Sequence, residues 1–98
     1  MEQAGKRFIH YTELPDAKPE DSDFDEWNTF RRELPRLLAE GHEGKFALLK
    51  GTEVIGIYDT WEAGYDAGLE RYLLQGQGFL VQPIRTWEPL LRLRGYSF

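Results

Sequence analysis

The chain has 98 residues, three Trp, five Tyr and six Phe, no cysteine and two histidines. That length suits one domain able to bury roughly two thirds of its unfolded surface, and the missing thiols exclude disulfides, thiolate zinc sites and a cysteine nucleophile. The net charge is −5, with eleven acids and six bases in residues 1–44 and six of each in residues 45–98, a distribution that argues against nucleic acid, which needs a basic face.

Residues 1–22 are expected to form an N-terminal arm, partly flexible and acidic, ahead of a single α+β domain at 23–98. No stretch approaches the ~20 apolar residues of a spanning helix, and MEQAGKRFIHYTELP has no signal-like apolar run. A soluble, cytoplasmic protein without membrane contact is therefore expected. Within the arm, Phe8, Ile9 and Tyr11 could form a strand or clip onto the core. PDAKPEDSD (15–23) is acidic, holds two prolines and lacks large apolar groups, which reads as a linker or mobile arm.

A first helix is expected from Ser22 or Asp23, either of which could cap it. Phe24, Trp27, Phe30, Leu34, Leu37 and Leu38 recur at spacings of three and four and form one stripe. Pro35 predicts a kink or restart, and Gly41 closes the helix. KFALLK (45–50) and EVIGIY (53–58) read as a hairpin turning at Gly51-Thr52. Both strands are almost continuously apolar, which implies cover on one face and partial shielding on the other.

Asp59 or Thr60 should cap a second helix, with Glu62 closing a capping box. Trp61, Gly64, Tyr65, Gly68, Leu69 and Tyr72 share one stripe. The two glycines predict close approach of the helix backbone to the sheet, since each costs about 1 kcal/mol against alanine. Gly76-Gln77-Gly78 ends that helix. Phe79–Ile84 is the last strand, at an edge or bulged because of Pro83. Pro89–Arg94 could add a final helical turn. The expected fold class is α+β, in the order α-β-β-α-β, with a small three-stranded sheet and helices packed mainly on one face.

The stretch from Leu34 to Ile84 carries LLAEGHEGKF, GTEVIGIYDTWEA and GFLVQPI. On these motifs the chain resembles a family of small prokaryotic proteins that form a domain of unknown function. The resemblance covers about half the chain. It implies the hairpin-helix-strand arrangement and brings no activity, cofactor or catalytic residue with it.

Few residues suggest chemistry. His42 and Glu43, beside Gly41 at a helix-to-strand turn, could shuttle protons or bind a metal, or could simply meet the negative end of the helix dipole. Asp59, Glu62, Asp66 and Glu70 read as a cap and a solvated face rather than paired catalytic carboxylates. Gly76 and Gly78 follow a helix rather than open one, so they are not a phosphate cradle. The remaining group is Arg85, Trp87, Arg92, Arg94 and Tyr96, of the side-chain types enriched at interface hot spots. The expectation is a non-enzymatic protein-interaction or assembly module. Its partner would be another protein or a second copy in a homodimer, with no cofactor, metal or catalytic residue. The alternatives are a small hydrolase or hydrolase subunit using His42, and a nucleic-acid-associated, antitoxin-like regulator built on the arginines.

Overall fold

A computed structural model describes residues 8–89 of the chain. Its elements are β1 (Phe8–His10), α1 (Phe24–Ala39), β2 (Phe46–Lys50), β3 (Glu53–Tyr58), α2 (Trp61–Arg71), β4 (Leu80–Pro83) and β5 (Trp87–Pro89). The fold is α+β. Strands β3, β2 and β4 form a three-stranded sheet in that order, and β1 pairs with β5 in a separate two-stranded ribbon. Both β3 and β4 run antiparallel to β2, so they are parallel to each other across it and α2 makes the crossover. The α-β-β-α-β core thus has β2 at its centre.

Ala47, Leu48 and Leu49 of β2 are all 0% exposed. Side chains alternate across a sheet, so three consecutive buried residues require cover on both faces. Ala47 and Leu49 join Trp27, Phe30, Leu34 and Leu37 of α1 in one cluster with Ile84. Leu48 pairs with Gly56 and Val81, and Phe46 with Tyr58 and Pro83, which puts these on the other face. There α2 lies close. A Cβ at Gly64 would stand 3.2 Å from Val81 Cγ1 and 3.4 Å from Tyr58 Cδ2, and one at Gly68 would run into the Phe79 ring. The helices therefore take opposite faces, one each, instead of gathering on one. The unbroken apolar run of β2 is the physical reason.

The hairpin turn is held from α1. Gly51 (φ 60°) opens the two-residue loop between Lys50 and Glu53, with positive φ at the first position only, as a II′ turn requires. Glu26, buried on α1, accepts the Gly51 N–H at 2.7 Å. The Thr29 hydroxyl lies 2.8 Å from the carbonyls of both Gly51 and Asp25, and with one proton it serves one of them at a time. Arg32 Nη2 donates to the Thr52 carbonyl at 3.1 Å. Farther along, Leu48 pairs with Gly56 and Leu49 with Val54, leaving Ile55 as the extra residue of a β-bulge.

Local expectations meet mixed outcomes. α1 starts after Asp23, whose side chain makes no cap bond; its carbonyl receives the Trp27 N–H at 2.8 Å. The helix runs on through Pro35 without restarting. Pro35 lies on the exposed face, where the carbonyl it leaves without a donor can meet water. Gly41 (φ 85°) donates to the Leu38 carbonyl and His42 to that of Leu37, a Schellman ending. Thr60 caps α2 by accepting the Ala63 N–H at 3.1 Å. That places Glu62 one position too early for a capping box. The segment 8–22 contributes to the core: Leu14 and Ala17 are buried, and Trp27 Nε1 donates to the Pro15 carbonyl at 2.8 Å. In place of the expected linker, Pro15 supplies an acceptor and Ala17 is small enough to seat against α1. Pro89 is in a strand, and residues 90–94 of the expected final turn lie outside the described residues.

Two outcomes follow. Gly68→Ala should lower stability by about 1–2 kcal/mol in urea unfolding despite the better helix former, because the Phe79 ring must shift. Glu26→Ala should cost about 1–3 kcal/mol in the same measurement, because the Gly51 amide loses its acceptor.

Candidate functional site

The turn from α1 into β2 carries His42 and Glu43. Backbone geometry sends them different ways. His42 Nε2 lies 3.5 Å from Glu40 Oε1, while its Nδ1 is shut off from solvent without a hydrogen-bond partner. Glu43 reaches across to the segment after β4, where its carboxylate accepts the Thr86 N–H at 2.9 Å. That bond holds the Glu43 carboxyl below its ordinary value. The two side chains therefore make separate contacts. Among the described residues no group of three or more His, Asp or Glu could hold a metal ion.

Beside Glu43 the end of the sheet opens into a groove. One depression of about 410 Å³ is lined by Glu43, Gly44, Phe46, Pro83, Ile84 and Arg85. A second of about 400 Å³ is lined by Phe46, Trp61, Gln82, Pro83, Arg85 and Glu88. They share Phe46, Pro83 and Arg85 and so adjoin. Pairing in the ladder puts Phe46 and Pro83 side by side on the α2 face of the sheet. Trp61 stands over this end because α2 begins there. Arg85 Nε lies 3.3 Å from Glu88 Oε1, yet that nitrogen is buried and makes no aligned hydrogen bond. Lys45 Nζ is 4.0 Å from Asp59.

Trp87 belongs to a different surface. It opposes His10, and Phe8 opposes Pro89, in the β1–β5 ribbon. Paired residues and their neighbours two along share a face, so Phe8, His10, Trp87 and Pro89 point the same way. Ile9 packs against the core on the other side. Trp87 is 55% exposed and Phe8 50%. The His10 ring meets Trp87 edge-on at 5.0 Å and lies 4.6 Å from Tyr11. A third apolar area runs along α2, where Trp61 and Tyr65 stack at 4.6 Å and 15° while remaining partly exposed. Leu73 and Leu74, in the turn after α2, are exposed too.

Of the residues singled out in the sequence, Arg85 is in the groove and Trp87 is on the ribbon face, two residues away in the chain. Arg92, Arg94 and Tyr96 lie outside the described residues. Asp59, Glu62, Asp66 and Glu70 are exposed. Gly76 (φ 73°) ends the turn after α2 in the left-handed conformation, as a C-cap does. Sequence reasoning missed Phe46, Pro83 and Glu88 as groove residues. Their approach depends on the β2–β4 register, for which the only local signal is the Pro at a strand end. Trp61 and Tyr65, on one stripe with Gly64 and Gly68 in the sequence, remain partly exposed, because the glycines let α2 lie so close that the sheet has no room beneath the aromatic flank.

No family model matches the chain, and neither a curated protein nor a solved structure is similar to it at a significant level.

The depressed carboxyl of Glu43 has a pH consequence. A carboxylate with a lowered folded-state value contributes stability above its ordinary value of 4.5 and loses it as pH falls through the folded-state value. Glu43→Gln keeps an oxygen for Thr86 but does not titrate. In melting curves taken from neutral pH downward, the variant should therefore show the shallower decline as pH falls from 4.5 through the lowered folded-state value.

Proposed function

We propose that this domain is a protein-interaction module that assembles through the outward face of the β1–β5 ribbon, with itself or with another protein, and carries out no catalysis. The observation that carries this reading is the exposure of Trp87 and Phe8 at diagonal positions on one face of a two-stranded ribbon. Large aromatics seldom gather in water on a monomer, and a contiguous patch marks a contact site. Tryptophan also dominates interface hot spots, because burying it removes a large apolar area at little entropic cost. His10 and Pro89 extend the face without adding a fixed charge. The ribbon ties together two segments distant in sequence, so the patch is presented on a rigid support, which limits the ordering cost of association.

Sedimentation velocity over a wide concentration range tests the reading. Weight-average mass should rise with concentration, and Trp87→Ser should weaken association by at least about tenfold, the loss of a hot-spot residue. A strict monomer at every concentration, with no partner retained by the immobilised chain, defeats the proposal. The substitution should leave the fold intact, since Trp87 is already half in water.

A further inference from the structure

The groove at the end of the sheet is separate from the ribbon face and has its own chemistry. Its walls are Phe46, Trp61 and Pro83. Arg85 lines both halves, its buried Nε facing Glu88 Oε1 at 3.3 Å. An apolar floor of this kind suits a ligand that leaves few polar hydrogens stranded on it. The adjoining edge strand does not favour an added β-strand, because Pro83 has no N–H to offer a ladder. A polyproline-type segment suits these conditions better. Its carbonyls project outward, it has few N–H groups to strand on an apolar surface, and its conformation is largely set before binding.

Charge narrows the ligand further. Lys45 and Arg85 already sit against Asp59 and Glu88. Glu43 on one wall, and Glu62 beside Trp61 in the first turn of α2, have no basic partner among the described residues. The chain as a whole carries −5. The groove is thus complementary to a cation, and the exposed face of Trp61 can hold a guanidinium or ammonium group by cation–π attraction. We propose that this groove binds an extended, proline-containing segment of another protein that bears a basic residue next to its apolar part. The inference rests on the interaction-module reading and assigns it a second surface with a partner class.

The test is a random dodecapeptide library displayed on phage and panned against the full chain. Enriched sequences should combine proline with arginine or lysine. A synthetic peptide of the enriched sequence should bind about tenfold more weakly to Trp61→Ala. It should bind severalfold more weakly to Glu43→Gln/Glu62→Gln and lose affinity as salt rises. On the unaltered protein, two-dimensional NMR should show the peptide shifting the Trp61 indole N–H and the Arg85 Nε–H. That measurement stands even if a variant fails to fold. Failure to enrich any sequence over the uncoated support overturns the groove proposal, as does an acidic consensus. Peptide-induced shifts centred on Phe8 and Trp87 overturn it too, but leave the ribbon reading standing. Loss of concentration-dependent association in sedimentation defeats the ribbon reading and leaves the groove result untouched.

Discussion

Everything in this fold is arranged around a strand with no solvent side. Ala47, Leu48 and Leu49 are each sealed from water, and a strand can be sealed on both faces only if something covers each of them. One helix cannot do so. α1 supplies the bulk on one face, with Trp27, Phe30, Leu34 and Leu37 forming a continuous apolar layer. α2 supplies the other by bringing glycine backbone down onto Tyr58, Val81 and Phe79. The two helices use opposite means to the same end. A bulky stripe fills a deep interface, and a bare one makes a shallow interface whose rim of aromatic rings stays in water. The groove and the stacked Trp61–Tyr65 pair both follow from that shallow contact.

Much of this was legible in the residues. The stripe of α1 and the hairpin turning at Gly51 follow from periodicity and turn chemistry, which act within a few residues. So does the reading of Gly64 and Gly68 as a point of close approach. Less legible were features set by distant parts of the chain. Glu26 and Thr29 look like solvent-facing polar residues until the Gly51 turn arrives beside them. The signal that could have shown them is position: each falls beside the apolar stripe, at the spacing of Phe30 and Leu34. Leu14 and Ala17 stand next to or within an acidic, proline-bearing stretch whose composition suggests a linker. Between them the Pro15 carbonyl accepts from the Trp27 indole, a contact with a residue twelve positions on. The groove is less visible still, because Phe46, Pro83 and Glu88 come from three separated segments.

Arg85 and Trp87 show how a short sequence can mislead about surfaces. Two residues apart, they read as one cluster. Arg85 is partly covered and turned toward Glu88, whereas Trp87 has entered a ribbon with His10 and faces outward. The break between them falls at Thr86, whose N–H is taken by Glu43 and whose carbonyl accepts from Tyr11 at 2.8 Å. One residue thus fastens both neighbouring segments and separates two surfaces that differ in chemistry.

The bulge at Ile55 gains meaning beside Pro83. Each outer strand of the three-stranded sheet carries an interruption, an unpaired residue on one side and a missing amide on the other. An uninterrupted outer strand is a template on which further chains can stack without limit, the route by which small β-containing domains become fibrils. Here that route is blocked at both margins. An incoming strand therefore finds no continuous ladder on either margin, and this sheet stays at three strands.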